Sequence, residues 1–563
     1  MIYHCEDHTC NYWDEGEKLP ERCPQCGRKL LRANEADMTG DDWTALGNTL
    51  WDAEASDKKR MVDCFRKAAY LGSAWGVCNL GICMEQGNGV EADPVQAFWL
   101  YQQAVEMGSL NAVCCLGVCY EHGIGTAPDA KQAAELYCKA AEYGSPRGQM
   151  LLACAFHDGI GVEADAAEAV YWVRAAAYQR YGEGMHRLGV CYEYGDGVEQ
   201  NWEHAVHWFR EAAESGVSAA MTDLGYCYEK GCGVEQSWEQ AFSWYRRGAE
   251  CGYPVSMSNL GLCYKRGYGV EQNWQEAIKW YEQGAQCGDL QSMHNLARCY
   301  ERGEGVEQNE DRALYWYRRG AEAGSDYCMY CLGWNYSNGE GVEQNMTEAI
   351  RWYTAAAEGG NADAMHNLGW HYDHGEGVEQ DMKKAICWYE RAAEQNHPAA
   401  MNSLGECYAM GRGVPRDLET AMEWYRRAAE LGEAMADYNM GWHLEQAGKL
   451  SEAYAHYRKA ADGNDDSAWW ALGRFYENGV VVAQDGKEAR RCYETGEKLG
   501  SVKCKMRLAR CKLLGIGGRR AKKAGLDLCR QALELAKESS EKEDYGYEAE
   551  MNLLRRTIAE NES

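Results

Sequence analysis

The chain has 563 residues, too many for one round hydrophobic core, since compact cores stop growing at roughly 250 to 300 residues. Its 58 Lys and Arg face 87 Asp and Glu, and the net charge of −29 disfavours nucleic acid and anionic membranes as main partners. No stretch approaches the roughly 20 uninterrupted apolar residues of a membrane span, and the start MIYHCEDHTC lacks the pattern of a secretory signal. The composition therefore predicts a repetitive or multidomain cytoplasmic protein.

The first 33 residues contain four cysteines in two groups. Cys5, Cys10, Cys23 and Cys26 have the spacing C-x4-C-x12-C-x2-C. Four thiolates from two short turns satisfy a tetrahedral structural site, and a segment this short needs a metal to fold. We therefore predict a zinc-binding module over residues 1–33, followed by a linker over residues 34–40.

The stretch GEKLPERCPQCG resembles the short rubredoxin-like zinc ribbons that precede many bacterial proteins. The first cysteine pair is two residues wider than the usual C-x2-C, which leaves His8 as an alternative ligand. Spacing alone also leaves iron, and with it electron transfer, as a second interpretation.

From residue 41 onward, a leucine followed by a small residue recurs at a fixed interval. The step is 36 residues along Leu80, Leu116, Leu152, Leu188, Leu224, Leu260, Leu296, Leu332, Leu368, Leu404 and Met440. A methionine often stands three residues before this position and a tyrosine four residues after it. Spacings of three and four mark one helical face, so each repeat is predicted to begin with a first helix.

A glycine-rich turn, such as GYGVEQN over residues 267–273, ends the first helix. Its first glycine suits a left-handed helix cap, and its last residue can accept the free amides of a second helix. In that second helix Ala277, Trp280, Tyr281 and Ala285 recur in later repeats. Small residues permit close helix approach and aromatic rings fill the space between repeats, so each repeat buries its apolar face against the next.

The LGxxY helix, the GxGVxxD/N turn and the A-xx-WY-xxxA helix resemble the Sel1-like repeat, a relative of the tetratricopeptide repeat. The resemblance covers about residues 41–515. It implies an all-α fold, a right-handed α-solenoid of tandem helix-turn-helix repeats. It also implies a scaffold or adaptor that holds partner proteins or peptides in a concave groove.

The array departs from its period near the carboxyl terminus. The step from Met440 to Leu472 is only 32 residues, because AGKLSEA over residues 447–453 replaces the longer turn. This repeat is predicted to be a tetratricopeptide-like unit. Residues 516–563, which contain the basic run GGRRAKK over residues 517–523, are predicted to form capping helices.

The tetratricopeptide-type geometry implied by the resemblance places groove-facing side chains two residues before the repeat leucine and two, five and six after it. In the first of three successive repeats these positions include Thr222 and Tyr226, and Ser258 follows in the next. The three repeats place five cations there: Lys230, Lys265, Arg266, Arg298 and Arg302. We predict that these cations receive an acidic segment or terminal carboxylate of a partner.

Aromatic residues occupy the groove positions of later repeats. The predicted binding residues there are Trp334, His366, Trp370, His374 and Trp442. Exposed tryptophan is a frequent anchor in protein interfaces. The alternative is that neighbouring repeats bury these rings, and an exposed fraction below about a tenth would exclude the anchor interpretation.

Catalytic motifs are absent from the sequence, which has no G-x-x-x-x-G-K-[ST], H-E-x-x-H or G-x-S-x-G. His366, His371 and His374, with Asp373, could form a metal site, but a polar groove surface is the expected interpretation. Cys328 and Cys331 lie inside a repeat helix, so we expect packing rather than redox chemistry. Most of the 27 cysteines are expected to be reduced and buried.

The sequence thus predicts a bacterial-type, cytoplasmic, non-enzymatic adaptor with a structural zinc ion and a protein or peptide partner. A redox or enzymatic role centred on the amino-terminal metal site is one alternative, which iron in the purified protein would favour. A secreted or host-contact role, as some Sel1-like proteins have, is the other, and the lack of a signal peptide speaks against it.

Overall fold

The structure is a computed structural model that describes residues 2–5, 13–15, 30–33, 35, 38–51, 55–542 and 548–562. It divides into two compact units, residues 1–292 and 293–563, and the division falls inside the helix Leu290–Arg302. Each unit is described by itself.

Three short strands at the amino terminus form an antiparallel sheet in the order β2-β1-β3. They are β1 Ile2–Cys5, β2 Trp13–Glu15 and β3 Leu30–Ala33. Ile2 lies opposite both Glu15 and Ala33. Cys10, Cys23 and Cys26 lie outside the described residues, and of Cys5 only the backbone is described, so the metal site stays a prediction.

Helices in pairs make up the rest of the described chain, which confirms the helical repeat. Residues 1–292 contain α1 Gly40–Thr49, α2 Ala55–Tyr70, α3 Ala74–Gln86, α4 Pro94–Glu106, α5 Leu110–His122, α6 Ala130–Glu142, α7 Pro146–Asp158, α8 Ala166–Tyr178, α9 Gly182–Tyr194, α10 Trp202–Glu214, α11 Ser218–Lys230, α12 Trp238–Glu250, α13 Pro254–Arg266 and α14 Trp274–Gln286. The helix that contains the division is α15 Leu290–Arg302. It is followed by α16 Glu310–Glu322, α17 Asp326–Asn338, α18 Met346–Glu358, α19 Ala362–His374, α20 Met382–Glu394, α21 Pro398–Met410, α22 Leu418–Glu430, α23 Ala434–Gln446, α24 Leu450–Asp462, α25 Asp466–Asn478, α26 Gly486–Lys498, α27 Val502–Leu514, α28 Lys522–Lys542 and α29 Glu548–Glu562.

The repeat turn caps both helices of a repeat as predicted. Gly267 ends α13 with φ of 75°, in the left-handed region that glycine adopts without a steric cost. The Asn273 side chain accepts the Glu276 amide at 3.1 Å and so caps α14. The second glycine of the turn has a different role, because a Cβ atom at Gly269 would lie 2.1 Å from the Trp238 carbonyl oxygen. The turn therefore packs directly on the start of the preceding second helix.

The small residue after the repeat leucine makes room for a ring of the second helix. A Cβ atom at Gly225 would lie 2.6 Å from Cε1 of Tyr245, a ring that is almost completely buried. The repeat tyrosines equivalent to Tyr245 are among the largest fully buried side chains, and the alanine and leucine columns of the repeat are buried with them. The two helices of one repeat accordingly pack most extensively against each other, as α9 does with α10 and α21 with α22.

The shortened repeat keeps this packing with a smaller turn. Residues 447–449 join α23 to α24, whereas residues 411–417 join the two helices of the preceding repeat. The Lys449 side chain makes no capping hydrogen bond to α24, in contrast to the Asp417 cap of α22. The predicted tetratricopeptide-like unit is thus present as a helix pair.

The carboxyl-terminal helices close the array with a buried ion pair. Arg507 of α27 donates to both carboxylate oxygens of Glu550 of α29, at 2.6 and 2.7 Å.

Among the described helices, none has both the length and the apolar content to cross a membrane.

Most thiols of the described residues are free and buried, as the sequence predicted. The exceptions with exposed side chains are Cys154, Cys251, Cys287 and Cys387.

Candidate functional site

The position two residues after the repeat leucine forms a line of exposed side chains on the first helices. Within residues 293–563 it holds Trp334 of α17, Trp370 of α19 and Trp442 of α23, whose exposed fractions are 45%, 39% and 39%. All three values are far above a tenth, so neighbouring repeats do not bury these rings. In the other unit Tyr226 of α11 occupies the same position and is also exposed.

The position two residues before the leucine behaves differently. Thr222 and Ser258 are buried, so the prediction that they face a groove is wrong. The Thr222 hydroxyl hydrogen-bonds to the Ser256 hydroxyl of α13 and donates to the Ser218 carbonyl. Short polar side chains here fit between neighbouring first helices. Thr222 finds hydroxyl and backbone partners there, whereas the Ser258 hydroxyl has no hydrogen-bond partner among the described residues.

Three of the predicted cations lie within residues 1–292. Lys230 forms an ion pair with Glu229 at 2.8 Å and lies 5.7 Å from the ring centre of Tyr226. Lys265 lies 5.2 Å from the Trp274 ring centre. Arg266 is exposed and forms no ion pair in the described part of this unit. Lys230 and Lys265 are thus already engaged with neighbours in the chain.

The other two predicted cations, Arg298 and Arg302, lie within residues 293–563 and line a cleft of about 500 Å³. Neither arginine forms an ion pair with any residue that the structure describes. The remaining lining residues are His294, Glu301, Tyr317, Tyr327, Tyr330, Cys331, Trp334, Asn335 and Glu340. The structure therefore brings predicted cations and a predicted aromatic anchor to one concave site.

Two buried polar atoms on the wall of this cleft lack well-formed hydrogen bonds among the described residues. They are the Tyr317 hydroxyl, which lies close to the Glu301 carboxyl and the Cys331 thiol, and the Asn335 side-chain oxygen. Burial raises the pKa of the neighbouring Glu301 carboxyl, an effect opposed by the nearby Tyr317 hydroxyl and by Arg302 and Arg298. Buried polar groups are normally satisfied, so this wall can donate to and accept from a group that enters the cleft.

Sequence reasoning missed Asn335 although a signal was present. Its position, three residues after the repeat leucine, is a buried cysteine in most repeats, such as Cys227 and Cys263. An amide in a column of small apolar thiols marks a local change of chemistry.

The predicted groove histidines have separate partners. His374 stacks on Trp370 at 4.3 Å, and its Nδ1 lies 2.9 Å from the Trp370 carbonyl oxygen. His366 stacks on His397 at 5.1 Å, and the Nδ1 of the buried His371 lies 3.0 Å from the Glu376 carbonyl oxygen. Across the described residues, no three His, Cys, Asp or Glu side chains are arranged to hold a metal ion.

The C-x-x-C pair has the character of packing residues. Burial raises the pKa of Cys328 to about 11 and that of Cys331 to about 12, so both thiols stay protonated at neutral pH. The Cys331 side chain forms part of the cleft wall.

Comparison with known proteins identifies the repeat. The family model described as Sel1 repeat matches twelve segments, residues 76–109, 112–145, 146–181, 182–217, 218–253, 254–289, 290–325, 326–361, 362–397, 398–433, 434–465 and 468–501. No curated protein matches the chain.

Among the similar solved structures are two at 30% identity or above. The first is c5321, a protective antigen of uropathogenic Escherichia coli with an SLR fold, at 30% identity and a TM-score of 0.50, covering 85% of this chain and 97% of that one. The second is a Sel1 repeat protein from Oxalobacter formigenes, at 32% identity and a TM-score of 0.40, covering 43% of this chain and 96% of that one.

Proposed function

The chain belongs to the Sel1 repeat family, and we propose that it is a scaffold that holds a partner protein or peptide on its first helices. Sel1 repeat proteins are generally scaffolds for protein interactions. The observation that carries the proposal is the shared exposure of Trp334, Trp370 and Trp442 at one repeat position. Tryptophan is enriched among the residues that contribute most to binding energy.

The charge around the cleft supports an acidic segment or terminal carboxylate as the part of the partner that binds Arg298 and Arg302. The chain carries a net charge of −29, yet neither guanidinium group forms an ion pair with a described residue, and burial raises the pKa of the neighbouring Glu301 carboxyl. Arginine binds carboxylates through two parallel hydrogen bonds, which favours this class of ligand. Tyr226, Lys230, Lys265 and Arg266 form a second candidate set within residues 1–292.

A pull-down with matched variants tests the scaffold. The full-length chain is compared with a Trp334→Ala, Trp370→Ala, Trp442→Ala variant and with Trp99→Ala, which removes an exposed tryptophan from the second helix α4. We expect the triple variant to lose partners that the wild type and Trp99→Ala both retain. Equal recovery by all three proteins would contradict the proposal.

The arginines are tested in the same assay. Arg298→Glu with Arg302→Glu is expected to lose the same partners, because like charges would meet at the cleft. Unchanged recovery would show that the acidic-segment assignment is wrong while leaving the tryptophan surface in place.

We also propose that Cys5, Cys10, Cys23 and Cys26 bind a structural zinc ion. Cys5 ends β1 and pairs with Leu30, which follows Cys26 by four residues, so the strand pairing favours a meeting of the two cysteine groups. When bound, zinc would cross-link segments too short to form a core. One equivalent of zinc in the purified protein, lost in a Cys23→Ser, Cys26→Ser variant, is expected; stoichiometric iron would instead favour a redox role.

A role in host contact is a second candidate function, because the E. coli relative is a protective antigen. Fractionation of the native cells tests it. Recovery of the chain only with the cytoplasmic fraction would count against host contact.

A further inference from the structure

The line of exposed tryptophans within residues 293–563 is interrupted once by a carboxylate. Glu406 of α21 occupies the same position in its repeat as Trp370 in the preceding repeat and Trp442 in the following one. Its side chain is 38% exposed. The repeat register therefore places the Glu406 carboxylate at the position between those of the exposed Trp370 and Trp442 rings.

Side-chain contacts connect the three first helices at this place. Asn439 of α23 donates to Asn402 at 3.0 Å and to Oε1 of Glu406 at 3.2 Å. Asn402 donates to the same Oε1 at 3.2 Å. On the other side, the Ser403 hydroxyl lies 3.4 Å from Nε2 of His366 in α19. Two amides thus fix the Glu406 carboxylate on a surface shared by α19, α21 and α23.

The second oxygen of the Glu406 carboxylate, Oε2, has only a distant cationic partner. Arg412 lies 3.8 Å from Oε2 of Glu406 but donates to the buried Asp373 at the shorter distance of 2.9 Å. One guanidinium is therefore shared by two carboxylates, and its better hydrogen bond goes to Asp373. Burial raises the pKa of the Glu406 carboxyl, an effect opposed by Arg412 and by the Asn439 and Asn402 amides. When both carboxyls are ionised the site has a net negative charge, and Oε2 of Glu406 has unused capacity to accept hydrogen bonds.

We propose that Glu406, with Trp370 and Trp442 beside it, binds a lysine or arginine side chain of the partner. The inference rests on the proposed scaffold function and adds the chemistry of one partner residue. The cation of such a side chain pairs with the carboxylate, while its alkyl stem covers apolar surface of the indole in the repeat before or after. A protein side chain fits better than a free metal ion, since no three suitable ligands converge in the described residues.

The repeat register also predicts the order of acidic and basic residues along the partner segment. Arg298 and Glu406 occupy equivalent positions three repeats apart in the same unit. Helices in contact lie about 8–10 Å apart, so three repeats correspond to roughly 25–30 Å, or about eight to nine residues of an extended peptide. The partner segment accordingly carries an acidic group at one end, apolar residues opposite Trp334 and Trp370, and a basic residue at the other end.

A random 12-residue peptide library displayed on phage is the probe. It is selected against the full-length wild type and against the triple tryptophan variant. Peptides that bind only the wild type are expected to contain a lysine or arginine and to carry an acidic residue at a distance of about eight positions. The tightest lysine-containing peptide is then synthesised together with a copy in which norleucine replaces the lysine.

The decisive measurement is a double-mutant cycle between peptide and protein. Glu406→Gln removes the charge and keeps an oxygen for Asn402 and Asn439. Glu390→Gln, at an exposed position of the second helix α20, is the matched control. On the wild type and on Glu390→Gln, the lysine-to-norleucine change is expected to weaken binding about five- to tenfold. On Glu406→Gln the same change is expected to weaken binding less than about twofold.

Each other outcome overturns a defined part of the account. Equal losses on Glu406→Gln and the wild type, or tryptophan-dependent peptides without a basic residue, would overturn the assignment of Glu406 and leave the scaffold standing. Failure to select any peptide that distinguishes wild type from the tryptophan variant would overturn the scaffold function and the Glu406 site together.

Discussion

The hydroxyl of Tyr245 donates a hydrogen bond of 2.9 Å to the carboxylate of Glu229, sixteen residues earlier in the chain. This bond ties a buried ring of the second helix to the last turn of the first. It recurs at the same spacing in Tyr101 with Glu85, Tyr137 with Glu121 and Tyr493 with Glu477. In the shortened repeat the spacing from Glu445 to Tyr457 is twelve, because the turn is four residues shorter and the bond is kept.

Tyr245→Phe is expected to destabilise its repeat by about 1–2 kcal/mol, since the Glu229 carboxylate loses its hydroxyl donor while it keeps its pair with Lys230. Hydrogen exchange of α11 and α12 measures the local loss. Tyr425→Phe is the matched control, because residue 409, sixteen before it, is an alanine. Equal effects of both substitutions would contradict the role of the hydrogen bond.

Gly225→Ala is expected to destabilise the protein by about 1–3 kcal/mol, although alanine normally favours a helix. The new Cβ would meet the Tyr245 ring, whose nearest atom is 2.6 Å away. In one repeat the positions equivalent to Gly225 and Tyr245 hold Ala153 and Val173, so an alanine is accommodated beside the smaller side chain. We therefore expect Gly225→Ala to cost much less stability in a Tyr245→Val background than in the wild type. Additive effects in the urea unfolding of the four proteins would exclude this clash.

The fold could be predicted from sequence because each repeat position has one dominant environment. Local packing determines which side chains fit the repeat positions of Leu224, Gly225 and Tyr245. Backbone geometry determines that the turn positions are glycine. The site was only partly predictable, because it depends on contacts between repeats. Repeat register alone does not show that Thr222 fits between two helices, that Lys230 pairs with Glu229, or that Asn335 lacks a partner.

Acid is expected to destabilise the repeat that contains His366. Burial, with the neighbouring His397 as a smaller cause, lowers the pKa of His366 from 6.5 to about 4. Below about pH 6.5 this histidine becomes protonated in the unfolded chain but stays neutral in the folded chain. The free energy of unfolding therefore falls as the pH is lowered to about 4, by up to about 3 kcal/mol. His366→Gln should flatten the pH dependence of the urea midpoint in this range. Parallel curves for variant and wild type would contradict the assignment.

Arg412→Met is expected to cost about 2–4 kcal/mol, because it leaves the buried Asp373 carboxylate without its guanidinium partner. The cost is below that of a fully buried pair, since Arg412 is partly exposed. Adding Asp373→Asn should restore part of the loss by removing the uncompensated charge. Thermal unfolding of the wild type, Arg412→Met and the double variant measures these stabilities. A double variant that is less stable than Arg412→Met alone would show that loss of the ion pair does not cause the destabilisation.

The central claim is that the exposed tryptophan line contacts a partner in the cell. Photo-crosslinking tests it directly, with p-benzoylphenylalanine placed at position 370 of the full-length chain in its native cells and at position 99 as the control. We expect a discrete protein adduct from position 370 that is absent from position 99 and is lost when Trp334 and Trp442 are replaced by alanine. The same adducts from both positions, or adducts from position 99 alone, would contradict it.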